Sequence, residues 1–111
     1  MIVVSWNYHG LGKTYKVNAA RDILMKEVPD IFMIQETKTN NQENGKMIQK
    51  LKNYEGLALE ATGASGGICT LWKNGKWEMT NQKIDKHWIK TNLEEIITKA
   101  KYSLINVYSP N

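Results

Sequence analysis

One cysteine, Cys69, is all the thiol chemistry that this chain of 111 residues carries. No intrachain disulfide can form, and a reducing compartment is the natural expectation. Cys69 lies in the apolar run Ile68-Cys69-Thr70-Leu71-Trp72, where it should pack as a small hydrophobe. The two histidines, His9 and His87, are far apart and have no Cys or His partners at metal spacing, which argues against zinc. No apolar stretch approaches the ~20 residues of a membrane span. Met1-Ile2-Val3-Val4-Ser5-Trp6 has no basic lead and is too short for a signal peptide, so a soluble intracellular protein, nuclear or cytoplasmic, is expected. Serine or cysteine nucleophiles with a histidine at hand are also missing. Gly63-Ala64-Ser65-Gly66-Gly67 follows neither the P-loop nor the dinucleotide glycine pattern and opens into a strand, so a flexible turn is expected.

What remains is an ordinary globular composition, 41% apolar and 23% charged. The length suits one domain with a real core. The net charge of +4 (15 basic less 11 acidic residues) mildly favours anionic partners, although on charge alone a Lys-rich solvated surface is the better explanation. Only one basic residue is Arg, so phosphate would be met by mobile point charges and not by bidentate forks.

The apolar pattern predicts a strand over Ile2–Asn7, a loop through Gly10 and Gly12, and a helix over Val17–Val28 with Asn18 near its cap. Pro29-Asp30 ends that helix and launches a second strand, Ile31–Gln35. Strand, helix and strand with short links make a right-handed βαβ crossover, which sets the two strands parallel. Thr37–Gly45 reads as a loop and Lys46–Leu51 as a short helix. Strands follow over Tyr54–Glu60, Ile68–Trp72 and Trp77–Ile84, the last two joined as a hairpin by Lys73-Asn74-Gly75-Lys76. Asn92–Ala100 matches a capped helix locally but lies between strand-like runs; context favours a strand. Trp6, Trp72, Trp77 and Trp88 all fall in strand-like segments and read as core, not as base-stacking platforms.

Two polar residues stand at strand ends, where ligand sites of α/β sheets collect. Asn7 closes the first strand; its amide could hold a phosphate oxygen, or it could simply stabilise the turn. Glu36 closes the second. A carboxylate half-buried there needs a partner, either a cation such as Mg²⁺ or a salt bridge to Lys38 or another lysine.

Ile2-Val3-Val4-Ser5-Trp6-Asn7-Tyr8-His9-Gly10-Leu11-Gly12 and Pro29-Asp30-Ile31-Phe32-Met33-Ile34-Gln35-Glu36-Thr37-Lys38 together resemble the start of the endonuclease/exonuclease/phosphatase superfamily. With Gly63-Ala64-Ser65-Gly66-Gly67-Ile68 and Ile105-Asn106-Val107-Tyr108-Ser109-Pro110-Asn111, the chain is similar to the N-terminal endonuclease domain of non-LTR (LINE-type), plant-like retrotransposons. Four motifs in this order span essentially the whole chain. The resemblance implies part of a four-layer α/β sandwich and Mg²⁺-dependent phosphodiester cleavage, with Mn²⁺ as a substitute and DNA as the partner. It implies a catalytic set of Asn7, Glu36, Tyr108 and Asn111. Glu36 would be the metal ligand, while Asn7, His9, Tyr108 and Asn111 would touch substrate.

Two departures follow. The family usually has Cys or Val at Tyr8 and Arg, Asn or Asp at His9, so His9 cannot supply the second carboxylate that some members place there. The family's later Asp-x-Asn motif and terminal Asp-His pair have no counterpart in these residues, and neither His9 nor His87 matches that histidine. The expectation is a truncated N-terminal half, inactive alone, because a proton-transfer group typically contributes ~10²–10⁴-fold. The alternatives are a non-catalytic remnant that binds nucleic acid weakly, or a phosphodiesterase or phosphatase of the same superfamily acting on a small phosphodiester such as a phosphoinositide.

Overall fold

The computed structural model describes residues 1–7, 14–61 and 66–108. In chain order the elements are β1 (Val3–Asn7), α1 (Thr14–Glu27), β2 (Ile31–Gln35), α2 (Asn41–Lys50), β3 (Tyr54–Leu59), β4 (Ile68–Lys73), β5 (Trp77–Ile84), β6 (Trp88–Glu95) and β7 (Lys101–Val107). They build three layers: two helices, a four-stranded sheet ordered β1-β2-β4-β3, and a three-stranded sheet ordered β5-β6-β7.

Period-two alternation in β2 explains the layering. Phe32 and Ile34 point to the helices and pack with Val17, Ala20 and Leu24 of α1 and Met47 of α2. Ile31 and Met33 point the other way, onto Trp72, Trp77 and Leu93 between the sheets. A strand apolar on both faces must be central, and all four of these residues are buried. β1 lies parallel to β2, with Val3 opposite Ile31 and Asn7 opposite Gln35, as the crossover requires.

Three expectations need correction. Asn18 is not a cap: α1 begins at Thr14 and Asn18 lies within it. Its other end follows the expected logic, since Val28 takes a left-handed turn (φ 43°) and donates to the Leu24 carbonyl before Pro29. The second helix starts earlier than predicted because Asn40 caps it, its side-chain oxygen accepting from Glu43 N at 2.9 Å. Asn40→Ala should therefore cost about 1 kcal/mol in urea unfolding; an unchanged midpoint would show the cap to be idle. Finally, β4 and β5 are not a hairpin. The Asn74-Gly75 turn carries the chain from one sheet to the other, β4 pairing with β2 and β3 while β5 pairs with β6. The strand reading of Asn92–Ala100 holds as far as Glu95, after which a turn leads into β7.

Asp30 explains why the chain changes sheet at that turn. Its carboxylate accepts from Ile2 N at 2.7 Å and from the Lys76 ammonium at 2.5 Å, and the Trp77 indole N–H points at it from 3.4 Å. Its carbonyl accepts from Lys73 N. One buried acid thus ties the start of β1, the end of β4 and the start of β5 together. Burial alone would push its carboxyl upward; the bonds from Lys76, Ile2 and Trp77 outweigh that and hold it at about 2. Cys69 is fully buried, as expected, and burial pushes its thiol up to about 12. Trp72 and Trp77 are core, and Trp6 stacks on Phe32. Among the described residues no helix is long and apolar enough to cross a membrane.

Candidate active site

The carboxyl ends of β1, β2 and β7 meet at one end of the molecule, and each delivers a polar residue. Asn7 is the last residue of β1, Glu36 the first after β2, and Tyr108 the first after β7. His9 and Asn111 lie outside the described residues.

A polar bridge fixes the two sheets relative to each other just behind these residues. Gln35 donates from Nε2 to Ser5 Oγ at 3.1 Å and to Asn106 Oδ1 at 2.9 Å. Asn106, only 1% exposed, donates from Nδ2 to the Cys69 carbonyl at 2.9 Å and to Thr70 Oγ1 at 3.1 Å. A buried amide whose protons and oxygen are all used is both directional and costly to displace. Gln35 precedes Glu36 by one residue and Asn106 precedes Tyr108 by two, so the bridge fixes both strand ends. In front of it a cavity of about 310 Å³ opens between the sheets, walled by Ser5, Asn7 and Gln35 on one side and Asn106, Val107 and Tyr108 on the other.

Glu36 does not line that cavity; a second brace links it to Tyr108. Glu36 (φ 56°) and Lys38 (φ 54°) are both left-handed, an uncommon backbone for residues with side chains. The kink is held because Thr37 N donates to the Gly67 carbonyl at 3.1 Å and Lys38 N to that of Gly66 at 2.9 Å. Gly66 in turn meets Tyr108, since a Cβ placed on it would lie 3.6 Å from the ring. Tyr108 N donates to the His87 carbonyl at 2.8 Å, and the two rings lie 6.3 Å apart.

Gly66 and Gly67 are therefore held in place here, while Gly63, Ala64 and Ser65 of the expected flexible turn lie outside the described residues. His87, which matched no motif, stands beside Tyr108. Gln35 and Asn106 also escaped notice as functional positions. The signal that could have found them was a polar residue on an inward-facing strand position: Asn106 alternates with Leu104 on the face of β7 that meets the first sheet.

Comparison with known proteins bears on what such a site belongs to. No family model matches the chain. It is 30% identical over 115 aligned positions to recombination repair protein 1 of Drosophila melanogaster, spanning 98% of this chain and 16% of that protein. It superposes on the AP endonuclease LMAP of Leishmania major with a TM-score of 0.72 at 20% identity, over 98% of this chain and 40% of that one. On D. rerio TDP2, solved with a single-strand DNA product, the TM-score is 0.71 at 14% identity, over 95% of this chain and 44% of that one. The chain has part of the endonuclease/exonuclease/phosphatase fold. It spans less than half the length of these solved neighbours and about a sixth of the fly protein. Within that fold, the helix layer and both sheets described above correspond to one part of a layered α/β sandwich.

The donor set at this end suits one kind of metal. Among the described residues no three His, Cys, Asp or Glu side chains gather to hold a metal. A single half-buried carboxylate at a rigid strand end fits Mg²⁺, which takes one or two carboxylates and keeps several waters.

Proposed function

We propose that this chain carries the metal-anchoring part of a Mg²⁺-dependent DNA phosphodiesterase site, of the kind that nicks DNA in retrotransposons. The supporting observation is the meeting of Asn7, Glu36 and Tyr108 at the carboxyl ends of β1, β2 and β7, braced by Gln35–Asn106 and by Gly66-Gly67. Glu36 would hold Mg²⁺, or Mn²⁺ in its place; such an ion supplies Lewis-acid stabilisation of charge on a phosphate oxygen. Asn7 offers an amide N–H, and Tyr108 a hydroxyl on a ring that lies against Gly66, to bind and orient the scissile phosphate. His9 and Asn111 would extend the same substrate contact. DNA as the partner is favoured by the DNA product in the similar TDP2 structure and by the net charge of +4.

This reading gives neither His87 nor His9 a proton-transfer role, so positional and electrostatic effects act alone. The 111 residues should leave supercoiled plasmid intact in Mg²⁺ at the level of a Glu36→Ala control. Robust nicking that Glu36→Ala abolishes would replace this reading with that of a complete nuclease. A non-catalytic nucleic-acid-binding role is the second reading, favoured by a concentration of cations away from Glu36.

A further inference from the structure

Two adjoining cavities, of about 620 and 260 Å³, lie along the end of α1. They share Leu24, Met25, Lys52 and Asn53 and so form one groove. Five cations line it: Arg21, Lys50, Lys52, Lys73 and Lys76. Among the described residues that line it there is no carboxylate. In a chain of 15 basic and 11 acidic residues, that is a concentrated positive field and not a sample of the average surface. Lys76 is held by Asp30, whereas Arg21, Lys50, Lys52 and Lys73 make no ion pair among the described residues.

Between the cations the groove is apolar. Leu24, Met25 and Val28 supply aliphatic surface, and Tyr54 supplies a ring fixed by the bond from its hydroxyl to the Pro29 carbonyl at 2.7 Å. The groove lies at the Asp30 end of β2. Six steps along extended chain lead from Asp30 to Glu36, roughly 20 Å at the rise of a strand.

We propose that this groove binds a single strand of nucleic acid, independently of sequence and separately from the Glu36 end. Lysines that meet phosphates as point charges, interleaved with an aromatic ring and an apolar floor that accept base faces, are what such a strand requires. Four of the five cations are Lys, which suits tracking of a backbone and not bidentate readout of particular bases.

Fluorescence anisotropy with a labelled oligodeoxythymidine of about 12 nucleotides tests this. The titration is run in EDTA, so no metal at Glu36 contributes and failure of the metal reading leaves the outcome untouched. The Lys52→Gln/Lys73→Gln double variant should bind about tenfold more weakly at roughly 50 mM salt. Its plot of log affinity against log salt should lose about 1.4 from the slope, two contacts at about 0.7 each. Both side chains reach solvent, so its thermal midpoint should match that of the parent chain. In amide NMR spectra the oligonucleotide should shift Asn53, Asn74 and Gly75. Parental affinity and slope in the double variant would overturn the proposal. So would shifts confined to Asn7, Gly67 and Tyr108, or binding to anionic lipid vesicles with none to the oligonucleotide.

Discussion

Gly67→Ala is expected to lower the unfolding free energy by about 3 kcal/mol and to displace Glu36. Gly67 has φ 89°, and a Cβ there would sit 2.3 Å from Thr37 Oγ1 and 3.1 Å from Lys38 N. The backbone conformation alone costs roughly 1–2 kcal/mol for a residue with a side chain. The contacts add to that, because Thr37 is fully buried and cannot swing away. Relief requires the 36–38 kink to move and its bonds to Gly66 and Gly67 to break, which releases the left-handed Glu36. Urea unfolding measures the first effect, and amide shifts at Thr37 and Tyr108 the second. A variant as stable as the parent, with Tyr108 unshifted, would mean that the brace does not hold the site.

Asp30→Ala should cost about as much, about 3 kcal/mol near neutral pH. Removing one partner of a buried ion pair costs 3–5 kcal/mol. The lower end applies because the Lys76 side chain is 41% exposed and part of its charge is screened by water. The substitution also leaves Ile2 N and the Trp77 indole without their acceptor. The pH dependence distinguishes this charge network from mere packing. The folded carboxyl lies at about 2, below the ~3.9 of an unfolded Asp. A depressed carboxyl contributes fully above the unfolded value and loses its contribution as pH falls through the folded one. The gap between parent and variant should therefore be constant from about pH 7 to 5 and shrink between about pH 4 and 2. A gap that persists unchanged to the acid limit would show that the charge plays no part.

Much of the first sheet could be read from the chain. β2 keeps its predicted bounds because five apolar or half-polar residues run between Pro29-Asp30 and the polar Thr37 segment, and the helix before it forces β1 parallel. The end that carries Asn7, Glu36 and Tyr108 was legible for the same reason, strand ends being marked by the change from apolar to polar. The Asn74-Gly75 turn misled because a turn signal specifies a reversal of direction, not which strands pair; that is decided by Asp30, a contact across 46 residues. Gly67 looked like any glycine in a turn, since its constraint comes from Thr37, far earlier in the chain. The cationic groove was invisible for a related cause. Arg21, Lys50, Lys52, Lys73 and Lys76 come from three separate stretches that only the fold assembles.

The central claim is that Glu36 anchors a divalent metal at the end where β1, β2 and β7 meet. Substoichiometric Mn²⁺ in an amide NMR experiment tests it most directly, since paramagnetic broadening marks the residues around the bound ion. Broadening should centre on Glu36, Thr37, Gly67 and Tyr108, spare Lys73–Lys76 at the far end of the sheet, recede as Mg²⁺ is added, and vanish in Glu36→Gln. Broadening centred elsewhere, or a pattern that Glu36→Gln leaves intact, would contradict the account.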